Sequence, residues 1–374
     1  MAQTSLEEYT RNKKTPFFVL DIDRVSNNYK KFRELFPEFT TFYSVKTNPH
    51  KKILTQLNSQ KSCFDAATIG EIKLLKSLKI DHSKILFTHP IKLPKTIKAA
   101  VDLGVNNFTF DSLDELLLLK KYAPGKRYFL RILPPAEGHF YEYVDKFGAS
   151  DEDVHSILDY AVENTIDIYG MSFHVGSQTM QIEPWHGTLS FCKEIFKEYY
   201  DKLPMFRIMN IGSGFPASYR NLNSPSLETI AEFVHKEIKD FPKGVTFWAE
   251  PGRIIVADAV ILVCTIIKNV QRIKNRWLFV DMGVYHGLIE VLESRGKLTY
   301  PVICFKHGEK ITYNISGNTL DPDDTLATAI ELPEDLTMGD KLIFKNVGAY
   351  TYSLHSNYHA LPKPHIYIDK ILDS

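Results

Sequence analysis

The sequence predicts a (β/α)8 barrel followed by a smaller domain rich in β-strands. Short apolar runs alternate eight times with amphipathic stretches whose apolar residues recur every three or four positions. This pattern covers roughly 220 residues, which suits a barrel of this kind. Near residue 258 the alternation stops, and strand-like runs separated by turn residues take its place. In chain order, the eight strand-like runs are FYSVK, SCFDAAT, KILFTHP, NNFTFDS, RYFLRIL, IYGMSFHVG, RIMNIGSGF and TFWAEPGRIIV.

The change of pattern sets the expected domain limits. We expect the barrel at residues 22–258 and a sandwich-like or barrel-like β domain at residues 259–374 together with 1–21. The run PFFVLDI in the first 21 residues is also strand-like and could by itself belong to either domain. A doubly wound sheet is the alternative architecture, but no GxGxxG segment follows the first strand.

Composition excludes several classes of protein. The 374 residues carry 45 basic and 45 acidic side chains, so net charge does not favour nucleic acid or an anionic membrane as a partner. The longest apolar run, IIVADAVILVCTII, contains Asp258 and is too short to span a bilayer. The polar N-terminus does not read as a signal peptide. Widely spaced cysteines without a CxxC pair favour reduced thiols, a cytoplasmic location and no metal site.

Unusual polar residues follow the predicted barrel strands. Active sites of such barrels are built at the C-terminal ends of the strands, so these side chains are expected to converge on one rim. Each residue alone is more often a solvated charge, a packed histidine or a turn, and their convergence is the stronger evidence. In chain order they are Lys46, Asp65, His89, Arg131, His174, Gly212–Gly214, Glu250 and Arg253.

Together these groups could perform one specific chemistry. A glycine-rich loop after the seventh strand lets backbone N–H groups approach a phosphate, and Arg253 adds a cation. Glu250 could pair with a ring nitrogen, and Lys46 could form a Schiff base with an aldehyde. A phosphate, a ring nitrogen and an aldehyde together describe pyridoxal 5'-phosphate.

The motifs resemble those of the ornithine/arginine/diaminopimelate decarboxylases, the barrel group of pyridoxal-phosphate enzymes that also includes alanine racemase. DMGVYHG and VGAYTY resemble the ornithine decarboxylase branch, and a CESSD-like motif of the diaminopimelate branch is absent from the sequence. In family order, the motifs are FYSVKTN, FDAATIGEI, KFG, SFHVGSQ, NIGSGFP, AEPGRIIV, DMGVYHG, SGNTLDPDD and VGAYT.

The resemblance implies a role for each matching residue of the barrel. Lys46 would carry the cofactor covalently, with Asp65 beside it. His174 would stack on the pyridine ring and Glu250 would accept from its protonated nitrogen, with Arg131 supporting Glu250 and the ring. The residues that the resemblance assigns to the cofactor phosphate and its surroundings are Ser177, Gly212, Ser213, Gly214, Gly252, Arg253 and Tyr350.

The resemblance also implies a homodimer with shared active sites. The SGNTLDPDD segment of one subunit would complete the site of the other, where Asp321 would recognise the distal amine of the substrate and act with the catalytic residues Lys46, His174 and Glu250. Lys146 and Asp324 would form a salt bridge between subunits.

One residue departs clearly from the family pattern. Ornithine-type enzymes have a cysteine immediately before the aspartate that matches Asp321, and here that position is Leu320. The cysteine is linked to returning a proton to Cα, and a leucine side chain has no proton to give. Either Lys46 or a water takes over this step, or the chain uses a different substrate or gives the carbanion a different fate.

The expected activity is decarboxylation of a basic amino acid to an amine and CO2, with an ornithine-like diamino acid favoured, as in polyamine biosynthesis. Glu290 and Glu293 are candidates to meet the distal cation of the substrate. The alternatives are a decarboxylase of another diamino acid or of a siderophore-type intermediate, an amino-acid racemase, and a non-catalytic decarboxylase-like regulator.

Overall fold

The chain forms two units in the computed structural model, which describes residues 6–134, 140 and 146–370. The barrel unit comprises Tyr29–Pro216 and Ser224–Gly252. The sheet unit comprises Met1–Asn28, Ala217–Asn223 and Arg253–Ser374. The domain limits given above from sequence, 22–258 and 259–374 with 1–21, stay a prediction.

The barrel unit confirms the predicted barrel. Its strands are parallel and each pairs with its neighbours in chain order until the last pairs with the first, which closes the barrel. After β1 (Phe17–Leu20) of the sheet unit, the barrel strands are β2 (Phe39–Ser44), β3 (Cys63–Ala66), β4 (Ile85–Phe87), β5 (Asn107–Phe110), β6 (Arg127–Arg131), β7 (Ile168–Ser172), β8 (Ile208–Asn210) and β9 (Thr246–Ala249).

Helices fill the connections, and their starts follow capping chemistry. Thr68, Ser112, Ser150 and Ser226 each accept a hydrogen bond from the backbone N–H three residues further on, which satisfies a donor at the helix start. After α1 (Leu6–Arg11), the helices up to the end of the barrel are α2 (Ile22–Leu35), α3 (Lys51–Ser59), α4 (Ile69–Ser77), α5 (Pro94–Asp102), α6 (Leu113–Tyr122), α7 (Asp151–Glu163), α8 (Glu183–Tyr199) and α9 (Leu227–Ile238).

Large side chains from several strands pack together within the barrel unit. Phe42, Leu86, Phe129, Ile208 and Trp248 form one buried cluster, one residue from each of β2, β4, β6, β8 and β9. The Trp248 ring lies 4.6 Å from the Phe42 ring and 4.9 Å from the Phe129 ring, measured between centroids. A packed interior of this kind holds the strand ends in fixed positions.

The sheet unit confirms the predicted β-rich second part. Its sheet has the strand order β12-β15-β10-β11-β13-β14, with β1 beside β10 and β16 beside β1. The strands after the barrel are β10 (Val260–Gln271), β11 (Arg276–Val280), β12 (Val302–Cys304), β13 (Lys310–Ser316), β14 (Thr325–Pro333), β15 (Lys341–Phe344) and β16 (His365–Ile368). Two short helices, α10 (Arg253–Val256) and α11 (Glu290–Glu293), also belong to this unit.

A buried ion pair joins the connection after β4 to the start of α6. Lys92 Nζ lies 2.7 Å from Glu115 Oε1, and the two side chains are 1% and 7% exposed. The same ammonium group donates to the backbone carbonyls of Thr109 (2.7 Å) and His89 (2.9 Å). Burial lowers the pKa of Lys92, and the charge of Glu115 opposes this shift. The contact with Glu115 therefore offsets part of the cost of burying the lysine inside the barrel unit.

Glu115→Ala should lower the free energy of unfolding by about 3–5 kcal/mol, because it leaves the Lys92 ammonium buried without its counter-charge. The measurement is urea denaturation of purified protein near neutral pH. Asp114→Ala is the matched control, since Asp114 occupies the same first turn of α6 and is exposed. A loss no greater than that of the control would show that the pair does not stabilise the fold.

Candidate active site

Lys46 lies at the C-terminal mouth of the barrel because β2 ends two residues before it. The chain turns through a single 3-10 turn, Val45–Thr47, and the following Asn48 is extended. Val45 and Thr47 are buried, whereas the Lys46 side chain is 49% exposed. Its Nζ lies 3.4 Å from Asp65 Oδ2, near the end of the adjacent strand β3. The predicted proximity of these two residues is present in the barrel.

Asp65 is held in one orientation by two hydroxyl groups. Its side chain is fully buried. Ser44 Oγ donates to Asp65 Oδ2 at 2.7 Å, and Thr88 Oγ1 donates to Oδ1. Asp65 therefore presents its carboxyl group in a fixed orientation beside Lys46.

Glu250 follows directly after β9 and is the second carboxyl group of the barrel mouth. Asn210 Nδ2 donates to Glu250 Oε1 at 2.6 Å, and Asn210 Oδ1 accepts from Gly212 N at 2.9 Å. Burial and then the negative charge of Asp65 raise the pKa of Glu250 to about 7, against the opposing effects of Lys46, Asn210 and Arg131. Glu250 is therefore poised to ionise when a further cation approaches it.

Arg131 and His174 lie at the ends of neighbouring strands. Arg131 ends β6, and its guanidinium carbon lies 5.4 Å from the centre of the Phe147 ring. Within the part of the chain that the structure describes, Arg131 Nε is buried and has no hydrogen-bond partner. His174 and Ser177 follow β7 and are half-buried. The barrel thus brings both predicted ring-binding side chains to its mouth.

The loop after β8 can be built only with glycine at two positions. Gly212 has φ +64° and Gly214 has φ +123°, conformations that L side chains rarely adopt. A Cβ at Gly212 would overlap the carbonyl oxygen of Phe173, and a Cβ at Gly214 would crowd Val175. Both glycines are buried and Gly212 N already donates to Asn210 Oδ1, so the loop packs closely against the segment that follows β7.

The structure gives Arg253 of the sheet unit a partner that the sequence did not predict. Its buried guanidinium forms a bidentate ion pair with Glu290, through Nη1–Oε2 at 2.9 Å and Nη2–Oε1, and donates to Tyr219 Oη at 2.8 Å. The Tyr350 ring centre lies 5.0 Å from the guanidinium carbon. Both carboxylate oxygens of Glu290 thus bind Arg253, which differs from the expected contact of Glu290 with a substrate cation. Glu293 is exposed.

The SGNTLDPDD loop is held by its own last residue. Asp324 is fully buried, and its carboxylate accepts from Val284 N (2.8 Å), Thr319 N (3.1 Å) and Thr319 Oγ1 (2.6 Å). Leu320 is 92% exposed at the tip of the loop, next to the half-buried Asp321. The intersubunit pair of Asp324 with the exposed Lys146 stays a prediction.

Asp321 has a tyrosine beside it. Burial, followed by the hydrogen bond and the charge of Asp321, raises the pKa of Tyr285 to about 12. Asp323 N donates to Asp321 Oδ1 at 2.9 Å, which also orients the carboxylate. Asp321 is therefore presented in a defined orientation next to the exposed Leu320.

Sequence reasoning missed four residues that orient the site. Ser44, Thr88 and Asn210 fix the two carboxyl groups of the barrel mouth, and Tyr219 binds Arg253. Ser44, Thr88 and Asn210 each lie at or next to the end of a barrel strand, as the predicted site residues do. Position along the strands was thus the available signal for these three. Tyr219 lies in a loop of the sheet unit and has no such signal.

The barrel residues fit pyridoxal phosphate. Lys46 offers a half-exposed amine, Glu250 a carboxyl group whose pKa is raised to about 7, and the loop after β8 the left-handed glycine backbone that is typical of phosphate-binding turns. The orphaned Arg131 Nε adds a donor in the same mouth. These groups match the aldehyde, the ring nitrogen and the phosphate of the cofactor.

Comparison with known proteins shows the family. Residues 22–257 match the family described as pyridoxal-dependent decarboxylase, pyridoxal binding domain. The chain is 32% identical to the lysine/ornithine decarboxylase of Selenomonas ruminantium over 90% of this chain and 85% of that protein. It therefore belongs to the pyridoxal-dependent decarboxylase family, and it is a decarboxylase whose cofactor is pyridoxal phosphate.

Solved structures agree over nearly the whole chain. The lysine/ornithine decarboxylase of Vibrio vulnificus complexed with putrescine is 29% identical with a TM-score of 0.88, covering 98% of this chain and 99% of that one. The arginine decarboxylase of Paramecium bursaria Chlorella virus bound to agmatine is 27% identical with a TM-score of 0.89, covering 97% and 100%. Among the described residues, no helix is both long and apolar enough to cross a membrane.

The raised pKa of Glu250 predicts how stability depends on pH once the cofactor is removed. The folded protein holds this proton more tightly than the unfolded chain, so the free energy of unfolding should fall as pH rises from about 4.5 to about 7. Glu250→Gln should remove the decrease in the free energy of unfolding that comes from this group, which is about 3 kcal/mol at most. The variant should therefore be more stable than wild type above pH 7. Thermal melts across this pH range measure the stability of each protein, and Glu232→Gln, at an exposed position, is the control. Equal pH slopes for Glu250→Gln and wild type would contradict the assignment.

Proposed function

We propose that this chain decarboxylates a basic amino acid, an ornithine-like diamino acid first of all, to the corresponding amine and CO2. The observation that carries the proposal is the barrel mouth, in which Lys46, Asp65 and Glu250 lie together in a chain of the decarboxylase family. The similarity to lysine/ornithine and arginine decarboxylases supports a basic amino acid as the substrate.

Pyridoxal phosphate, when bound, supplies the electron sink that makes loss of the α-carboxylate possible. Lys46 is the residue that would hold the cofactor covalently, and its amine would displace the product amine from the cofactor at the end of the reaction. Glu250 would accept a hydrogen bond from the protonated ring nitrogen, and Arg131 would stabilise the ionised form of Glu250. His174 would pack on the ring and so help to orient the substrate.

The phosphate is assigned to a wider group of residues. Backbone N–H groups of the glycine loop and charge-assisted hydrogen bonds are the usual means of holding this group. The similarity of motifs supports assigning the phosphate to Ser177, Gly212, Ser213, Gly214, Arg253 and Tyr350, with Gly252 as a further cofactor-binding residue.

We further propose a cytoplasmic homodimer with shared sites and with neither nucleic acid nor membrane as a partner. The balanced charge of the chain supports the absence of nucleic acid and membrane as partners. The exposed Leu320 and the oriented Asp321 support the shared sites, because both residues lie on a loop that Asp324 fixes from within its own unit. Asp321 is assigned to the distal ammonium of the substrate bound by the partner chain.

Lys46→Ala should lose the cofactor bond that borohydride reduces, together with turnover, because no other amine replaces it at this position. Mass spectrometry of borohydride-treated protein measures the bond. Lys52→Ala, an exposed lysine on α3, is the matched control and should keep both properties. A reduced cofactor adduct in the Lys46→Ala protein would show that another lysine is used.

Asp321→Ala should lose activity on basic substrates far more than affinity for the cofactor, since it removes the counter-charge of the distal ammonium. Mixing inactive Lys46→Ala and Asp321→Ala chains should restore roughly a quarter of the wild-type sites, because half of the freely exchanged dimers then contain one intact site. Titration of active sites after verified subunit exchange measures the recovery. No recovery would place Asp321 in the site of its own chain.

A further inference from the structure

The segment at residues 355–360 holds Tyr285 within the sheet unit. Ser356 donates two hydrogen bonds to the backbone carbonyl of Tyr285, from N at 3.2 Å and from Oγ at 2.7 Å. The rings of Tyr285 and Tyr358 lie 4.9 Å apart between centroids, within the range of a favourable aromatic pair. All three residues belong to the sheet unit. Tyr285 is therefore held through both its backbone and its ring by one distant segment of the same unit.

A buried histidine binds the same segment. His286 is 2% exposed, and its Nε2 lies 3.0 Å from the backbone oxygen of Tyr358. A carbonyl oxygen can only accept a hydrogen bond, so Nε2 carries the proton and donates it. Nδ1 of the same ring is buried and has no hydrogen-bond partner among the residues that the structure describes. Within those residues, the one hydrogen bond of this side chain therefore goes to the backbone of Tyr358.

The backbone that follows Tyr358 needs contacts of this kind. His359 and Ala360 both have left-handed conformations, with φ +56° and +55°. Residues other than glycine rarely adopt this conformation, which persists where the surrounding structure fixes the backbone. Tyr358 itself is 41% exposed, so burial holds it only in part. We therefore expect the segment to shift when the hydrogen bond from His286 is lost.

The tyrosine pair leads to Asp321. Asp324 accepts a hydrogen bond from Val284 N at 2.8 Å, which holds the residue before Tyr285 against the base of the SGNTLDPDD loop. The side chains of Tyr285 and Asp321 are joined by a hydrogen bond. A carboxylate that must meet an ammonium group from one direction binds it better when a fixed partner holds the carboxylate in place. The position of the Tyr285 ring therefore affects the direction in which Asp321 points.

We propose that His286 is a positioning residue for substrate recognition, which acts through Tyr358 and Tyr285 to fix the direction in which Asp321 meets the distal ammonium of the substrate. This inference rests on the proposed function, which assigns that ammonium to Asp321. Because His286 acts through the two tyrosines, its loss should affect the distal end of the substrate only. An amine that has no distal ammonium should bind equally well with or without the His286 side chain.

The test is the binding of two amines to the purified holoenzyme, measured by isothermal titration calorimetry. Putrescine carries a distal ammonium and butylamine lacks one, so the ratio of their dissociation constants reports on Asp321. His286→Leu fills most of the space of the ring but cannot donate a hydrogen bond. It should raise the dissociation constant of putrescine about tenfold and leave that of butylamine within about twofold of wild type.

Two further variants are the controls for His286→Leu. His286→Gln has an amide N–H that can donate to the same carbonyl oxygen, so its putrescine constant should stay within about twofold of wild type. His307→Leu makes the same change at an exposed histidine of the sheet unit and should leave both constants unchanged. Wild-type affinity for putrescine in His286→Leu, or an equal loss of both amines, would overturn the inference.

A double variant shows whether His286 acts through Tyr285. Tyr285→Phe removes the hydroxyl beside Asp321 and should also weaken the binding of putrescine alone. If His286 acts through this hydroxyl, the His286→Leu/Tyr285→Phe protein should bind putrescine within about twofold of Tyr285→Phe. Multiplied effects would contradict the inference. A wild-type enzyme that does not prefer putrescine would instead remove the assignment of Asp321, and release of CO2 from a basic amino acid would still report on the proposed decarboxylation.

Ser356→Ala keeps the test decisive if His286→Leu does not fold. Ser356 is exposed, and the variant removes the hydrogen bond from Oγ to the carbonyl of Tyr285. It should raise the putrescine constant about threefold and leave the butylamine constant unchanged, in keeping with the loss of one hydrogen bond. Circular dichroism and the absorbance of the bound cofactor check each variant. A Ser356→Ala protein that binds putrescine as wild type does would count against the positioning role.

Discussion

Burial of Glu250 beside a second carboxyl group at the barrel mouth is the constraint on which the rest of the site depends. Burial first, and then the negative charge of Asp65, which hydroxyl groups hold in place, raise the pKa of Glu250 to about 7. Lys46 and Arg131 offset this rise only in part. The mouth therefore favours a further cationic group close to Glu250, and the protonated ring of pyridoxal phosphate is such a group. We expect the balance between these carboxyl groups and cations to favour both the binding of the cofactor and the protonated form of its ring.

Much of this arrangement could be predicted from sequence, because strand periodicity places strand ends and barrel geometry gathers them. Lys46, Asp65 and Glu250 were found in this way. Strand β14 was not predicted, since TLATAIELP contains two alanines and follows an acidic turn, and its formation depends on pairing with β13. The bond between Asn210 and Glu250 and the pair between Arg253 and Glu290 join residues far apart in the chain. Side-chain partners of this kind depend on tertiary packing, which one sequence does not reveal.

The loop at 316–324 combines a rigid base with an exposed tip. Asp324 fixes the base through backbone and side-chain donors of its own unit, and Tyr285 orients Asp321. Leu320 at the tip has no ionisable group, so it cannot return a proton at the position where the ornithine-type pattern has a cysteine. If the loop completes a partner's site, either Lys46 or water returns the proton at Cα, or the chain uses a different substrate or gives the carbanion a different fate. The identity of the substrate and the fate of the proton are therefore linked in this chain.

The most direct test of the account is the release of CO2 from carboxyl-labelled amino acids by the purified holoenzyme, with the mass of each product determined in parallel. Ornithine, lysine, arginine, diaminobutyrate and diaminopimelate form the panel, and alanine is the neutral control. The account predicts labelled CO2 in equal amount to an amine from at least one basic amino acid and none from alanine. Absence of CO2 from every member, release from diaminopimelate alone, or a product that keeps its carboxylate would contradict it.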